Sequence, residues 1–240
     1  MGENIIEITI GGKKRTFSTV ALPRSFLEWQ SEARVRMFKA MAQGGASQVR
    51  AQPAHLPVLA TWDPEGNEND FPVNLSTRGM GVVPKQEKIA FFTDMLDKAR
   101  LESAGKPVQE TLPARLKAME TFYSDVDNFD TCMLGGLEIF EGQTAKNMER
   151  NPRISLLYTG EAPKYPSFQF NAVIVKVFPG NPYYQFLLAA RELFAMDAFH
   201  LHQDKYPFGY LCKAVEIKDK TPFAHAASHP RPGGHPAGSP

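Results

Sequence analysis

Residues 143–157 read Gln-Thr-Ala-Lys-Asn-Met-Glu-Arg-Asn-Pro-Arg-Ile-Ser-Leu-Leu, and two kinds of structure meet inside them. The first eight residues suit a brief helix. Asn151-Pro152 ends it, because proline has no N–H to donate and disfavours a helical residue before it. Ile154 to Tyr158 is then an apolar run of strand length. A short helix therefore hands directly over to a strand, and the segments on either side show that strands dominate the chain.

Downstream, Phe168 to Phe178 sets Phe168, Phe170, Ala172 and Ile174 against Val173, Val175 and Val177, which predicts a strand buried on both faces. A helix is expected over 183–196, with Phe186, Leu187, Ala190, Leu193 and Phe194 as its stripe, and a strand from Tyr210 to Ile217. Upstream lies an extended stretch from Leu137 to Phe140. Before it, helical periodicity runs from Asp97 to about Phe129, with Leu112, Leu116, Met119 and Phe122 on one face. A strand is expected over Lys88 to Thr93, after the link Gly79-Met80-Gly81. Residues 57–62 and 71–77 form two strands around the turn Asp63-Pro64-Glu65-Gly66. At the start, Ile5 to Phe17 reads as a hairpin across Gly11-Gly12. A helix over 25–42 follows, with Ser25 and Glu28 as a capping box. Its stripe is Phe26, Trp29, Ala33, Met37, Ala40 and Met41, and Gly44-Gly45 ends it. Short strands without regular helical crossovers predict an α+β chain, mostly antiparallel, closer to a barrel than to a doubly wound sheet. One domain over 1–221 is expected, with a helical insertion at about 97–132. Residues 222–240 are Pro, Gly, Ala, Ser and His with little to bury, and are expected to be disordered.

Composition narrows the function. With 240 residues, 42% hydrophobic and 22% charged, the chain has the profile of an ordinary globular protein. Lys+Arg 27 against Asp+Glu 26 leaves a net charge of +1, which argues against nucleic acid as a partner. No apolar run approaches the ~18–20 residues of a membrane span. Glu3 and Glu7 interrupt the early apolar stretch, so a cytoplasmic protein is expected. The two cysteines, Cys132 and Cys212, fit no metal-ligand spacing and read as reduced thiols. His225, His229 and His235 fall in the tail, His200 and His202 follow the late helix, and His55 carries no signal by itself. No metal site is expected, no phosphate-loop or nucleophile-elbow motif is present, and no residue stands out as a general acid or base.

The order of the segments resembles the pyridoxamine 5'-phosphate oxidase-like, FMN-binding split-barrel family. The resemblance rests on Ile-Ala-Phe-Phe-Thr-Asp-Met-Leu-Asp-Lys at 89–98, taken as an aromatic-Thr strand end and a Lys-bearing turn. It continues in the short helix, Asn151-Pro152-Arg153 and the Ile-Ser-Leu-Leu strand. Val58 to Thr61, the Asp63 turn and Pro72-Val73-Asn74 are similar to the family's first hairpin. The likeness touches 56–98 and 137–178, and more weakly 207–217.

It implies a six-stranded split barrel with flanking helices, and FMN as cofactor. It also implies a homodimer with the flavin at the subunit interface, and oxidoreductase activity with NADH or NADPH as candidate reductant. The aromatic content of the insertion suggests a small aromatic or heteroaromatic substrate. A flavin phosphate needs cationic and hydroxyl donors, best placed at a strand–turn–helix junction. Ser76, Thr77, Arg78, Thr93 and Lys98 are one candidate set, and Gln143, Thr144 and Lys146 a second. Phe92 and Asn74 are the candidates for the ring. The stretch from Lys98 to Asn151 is longer than the family's, and the last strand lacks the Trp and Arg-Leu-x-Pro ending of the true oxidases, so their substrate is not assigned. A deazaflavin or haem in the same barrel, sequestration of flavin or haem without turnover, or a barrel that has lost its cofactor and serves as an interaction module, are the alternatives.

Overall fold

The computed structural model describes residues 5–44, 54–63, 71–197, 203 and 205–222. Its first element is the expected hairpin, β1 (Ile5–Ile10) and β2 (Lys13–Ser18), paired antiparallel. Gly11 and Gly12 make the turn at φ +54° and +73°, a conformation glycine adopts without steric cost. This hairpin forms its own two-stranded sheet.

Helix α1 (Arg24–Gly44) begins one residue before the expected box. The Pro23 carbonyl accepts from the Phe26 and Leu27 amides, Ser25 lies inside the first turn, and Glu28 pairs with Arg24 at 2.9 Å. Its deeply buried stripe is also rotated from the expected one. Phe26, Leu27, Gln30, Ser31, Arg34, Phe38 and Met41 point inward, so three polar side chains lie where apolar ones would serve packing alone.

Next come β3 (Val58–Trp62), β4 (Val73–Thr77) and β5 (Gly81–Pro84). The turn joining β3 to β4 lies, from Pro64 to Asp70, outside the described residues. The strand expected over Lys88 to Thr93 is corrected: this segment opens helix α2 (Ile89–Ser103). Ile89, Phe92 and Leu96 are spaced for one helical face and all three are buried, and Thr93 donates its hydroxyl to the Ile89 carbonyl one turn back. The strand after β4 is instead the glycine-bearing segment, β5. Helix α3 (Val108–Tyr123) follows and buries Leu112, Leu116, Met119 and Phe122, the predicted face.

Strand β6 (Phe129–Leu137) begins where the expected helical stretch ends, and the extended stretch expected over Leu137 to Phe140 is corrected, being strand only at Leu137. Helix α4 (Gln143–Arg150), β7 (Arg153–Thr159), β8 (Ser167–Val177), α5 (Pro182–Glu192) and β9 (Gly209–Asp219) complete the order, close to expectation. Burial on both faces of β8 holds around Ala172–Ile174, while Val175 is partly exposed. Residues 223–240 and both His200 and His202 lie outside the described residues.

The architecture is α+β, with strands in the order β4-β3-β7-β8-β9-β6-β5 and every neighbouring pair antiparallel. Seven strands form this sheet, not six. Its edge strands β4 and β5 do not pair with each other, so the sheet is open. Phe26 of α1 meets Tyr158, Phe168 and Phe170 of β7 and β8 edge-on, at centroid distances of 5.1, 5.4 and 4.8 Å. Phe122 of α3 gathers Phe92, Phe129 and Phe186 in the same way, tying α2, β6 and α5 to it. Arg115 of α3 and Asp197 beyond α5 form a buried ion pair. Cys212 sits in this core, where burial pushes its thiol up to about 12, so it stays protonated. No helix among the described residues is long and apolar enough to cross a membrane.

On β4 the two faces differ sharply. Val73 and Leu75 are 53% and 65% exposed on the outer side, whereas Asn74 and Ser76 turn inward.

Candidate functional site

Alternation along β4 places Asn74, Ser76 and Arg78 in one row. The row faces the start of α4. Asn74 Nδ2 donates to Thr144 Oγ1 at 3.0 Å, and the Thr144 hydroxyl lies 3.0 Å from Ser76 Oγ. Gln143 donates to Asn147 at 2.7 Å, and Asn147 in turn reaches Thr61 of β3. Helix α4 therefore docks its buried side through amides and hydroxyls, an arrangement suited to a polar ligand edge. Gly142 precedes it, leaving the first-turn amides of Gln143 and Thr144 without a side-chain cap.

The end of the row is charged. Arg78 Nη1 donates to Glu138 Oε1 at 2.7 Å. Glu138 is fully buried and also accepts from the Ile139, Phe140 and Glu141 amides, at 3.1, 2.9 and 2.9 Å, and from the Tyr210 hydroxyl at 2.7 Å. Burial pushes the Glu138 carboxyl up, but Tyr210, the Phe140 amide and Arg78 together outweigh it and hold the group below the usual carboxylate range. Burial, reinforced by the Glu138 carboxylate, drives the Tyr210 hydroxyl far above its ordinary value, so it remains a donor.

Arg78 also borders a cavity of about 570 Å³, within the size range of small-molecule pockets. Helix α1 supplies Arg34, Met37, Phe38 and Met41; α3 supplies Met119 and Tyr123; α5 supplies Phe186 and Leu187. Gly135 and Gly136 of β6 and Gly79 form part of its wall. A Cβ on Gly136 would lie 2.1 Å from the Gly79 carbonyl oxygen, so glycine is required for the backbones to approach this closely.

Arg34 is the buried cation of this wall, 6% exposed. Its guanidinium lies 4.6 Å from the Phe38 ring centroid and 5.0 Å from that of Tyr123. Nη1 is 2.8 Å from His55 Nδ1. A guanidinium only donates, so Nδ1 accepts and the ring proton sits on Nε2. The buried Nε has no hydrogen-bond partner, and no carboxylate among the described residues pairs with Arg34. Burial draws the guanidinium below its ordinary value, with Tyr123 opposing.

Of the residues picked from the sequence, the structure brings together Asn74, Ser76, Gln143 and Thr144, with Arg78 at the end of the row; Thr77 borders the cavity. It does not bring Phe92, Thr93 or Lys98 to them. All three lie on α2, where Phe92 is core and Lys98 is exposed, 3.9 Å from Glu102. Lys146 points outward from α4. Sequence reasoning missed Arg34, His55 and Glu138. The signal for Arg34 was a polar residue at a core position of a long amphipathic helix.

No protein-family model matches the sequence, and no curated protein matches it. Among solved structures, an FMN-binding protein from Syntrophomonas wolfei subsp. wolfei is similar at 7% identity, over 82% of this chain and 93% of that one, with a TM-score of 0.39. HutZ, the haem storage protein from Vibrio cholerae, is similar at 12% identity over 75% and 90%, with a TM-score of 0.36. HupZ from Group A Streptococcus is similar at 14% identity over 70% and 86%, with a TM-score of 0.38.

Proposed function

We propose that the chain is an FMN-dependent oxidoreductase on a split-barrel fold, with the flavin phosphate at the β4–α4 junction and the ring against the apolar cavity. One observation carries the reading: Arg78 joins the two environments, ending the polar row of Asn74 and Ser76 and bordering the cavity. The donors suit a phosphate ester, with hydroxyls on Ser76 and Thr144, a guanidinium at Arg78 and uncapped amides at the start of α4. A bound flavin supplies hydride or single-electron chemistry. The protein's part is to orient it and to exclude water with the aromatic and methionine side chains of α1, α3 and α5. A small aromatic or heteroaromatic substrate, with NADH or NADPH as reductant, suits such walls. The contacts fall to Ser76, Arg78, Gln143 and Thr144; Lys98 and Lys146 are not part of the site.

The unit is a homodimer in this reading. Val58, Val73, Leu75 and Leu157 expose an apolar stripe on the outer face of β4, β3 and β7, beside the site, for a second copy to cover.

Titration with FMN, followed by the flavin's visible band, tests the cofactor. Arg78→Met is expected to weaken FMN about 10- to 100-fold, the loss of one charge-assisted contact, while riboflavin, which lacks the phosphate, binds both forms alike. Lys98→Met should leave FMN binding unchanged. A protein that takes up no FMN, or an Arg78→Met variant that binds it normally, overturns the assignment.

A further inference from the structure

We propose that the Arg34 end of the cavity is a subsite for the carboxylate of an apolar acid, an aromatic or aliphatic monocarboxylate whose body lies against Met37, Phe38, Met119 and Phe186. This deepens the proposed function, resting on it only for the statement that the acid is the substrate.

Three guanidinium groups border the cavity, on Arg34, Arg78 and Arg191. Arg78 is balanced by Glu138, and Arg191 donates to the Tyr206 hydroxyl at 3.1 Å. Arg34 is different, since it is buried and its neighbours are an imidazole nitrogen, the faces of Phe38 and Tyr123, the Tyr123 hydroxyl and the Met37 sulfur at 3.6 Å. None of these carries a negative charge. A buried cation without a counter-charge is costly, and the site recovers that cost when an anion enters.

Geometry then selects the anion. Phe38 and Tyr123 flank the guanidinium and His55 holds Nη1, so the group is oriented before any ligand arrives. A planar carboxylate matches a guanidinium with two parallel hydrogen bonds. Hydrocarbon and thioether side chains make up most of the rest of the wall, which accommodates a flat or flexible apolar body.

Calorimetric titration of the full chain, FMN-loaded and FMN-free, with 2-naphthoate and octanoate against their neutral amides tests this. At least one acid is expected to bind wild type about ten-fold or more tightly than its amide, the contribution of one ion-paired contact. Arg34→Gln should abolish that preference while leaving amide binding within about three-fold, which also reports that the variant is folded; Arg34→Lys should retain part of it. Equal binding of acid and amide in wild type overturns the proposal without any variant, as does binding of neither acid. A preference that survives in Arg34→Gln, or displacement of FMN by the acid, overturns it too. If FMN fails to bind while the acid preference and its dependence on Arg34 persist, the cofactor reading falls and the subsite stands.

Discussion

Glu138→Ala is expected to lower the free energy of unfolding by about 3–5 kcal/mol, the usual loss when one partner of a buried ion pair is removed. The carboxylate accepts from Arg78, Tyr210 and three consecutive backbone amides, and alanine leaves all five donors without an acceptor. Glu138→Gln separates charge from shape. Its amide oxygen can stay with the Oε1 donors and the Tyr210 hydroxyl can turn to accept, so a smaller loss of about 1–3 kcal/mol is expected. Urea unfolding at neutral pH measures both. Acid titration adds an independent reading. The folded carboxyl sits below its unfolded value of about 4.3, so its contribution is complete above that pH and is lost as pH falls through the folded value. Wild type should lose stability down that limb, and Glu138→Gln should lose less. If both variants match wild type at neutral pH, Glu138 is not the anchor of this end of the site.

Gly136→Ala should be as damaging for a purely steric reason. The added methyl would lie 2.1 Å from the Gly79 carbonyl oxygen and 3.3 Å from its carbonyl carbon. Overpacking against side chains commonly costs about 1–3 kcal/mol. Here the first obstacle is backbone, held by the Met80 amide's hydrogen bond to the His55 carbonyl at 2.8 Å, so the loss should reach or exceed the top of that range. Gly79→Ala is the control, because a Cβ there meets nothing within 4 Å. Free energies of unfolding for the two variants within about 1 kcal/mol of each other would refute the close approach.

The sequence made strands and most helices readable where one periodicity ran unbroken, as in Phe168–Phe178 and Leu112–Phe122. It misled at residues 88–93. Ile-Ala-Phe-Phe-Thr has strong strand propensity, but Ile89, Phe92 and Leu96 also lie one helical turn apart, and packing against α3 and α5 selects the helix. The strand at 129–137 was hidden for the opposite reason. Its Asp130, Gly135 and Gly136 weaken any strand signal, yet those glycines permit the close contacts that shape the cavity. The row Asn74, Ser76 and Arg78, and Gln143 and Thr144 opposite it, were among the candidates because they sit in motifs with a recognisable order. Arg34 and Glu138 were not, since each matters through a partner distant in sequence: His55 and Tyr123 for one, Arg78 and Tyr210 for the other.

The alternation along β4 has a consequence for how this strand tolerates change. Because consecutive side chains face opposite ways, odd positions such as Val73 and Leu75 meet whatever covers the outer sheet, while Asn74, Ser76 and Arg78 meet the interior. Two selective pressures therefore interleave residue by residue on one short segment without sharing a side chain. Drift at the odd positions can change the outer surface while leaving the inner row as it was, and drift at the even positions can change the inner row beneath an unaltered surface.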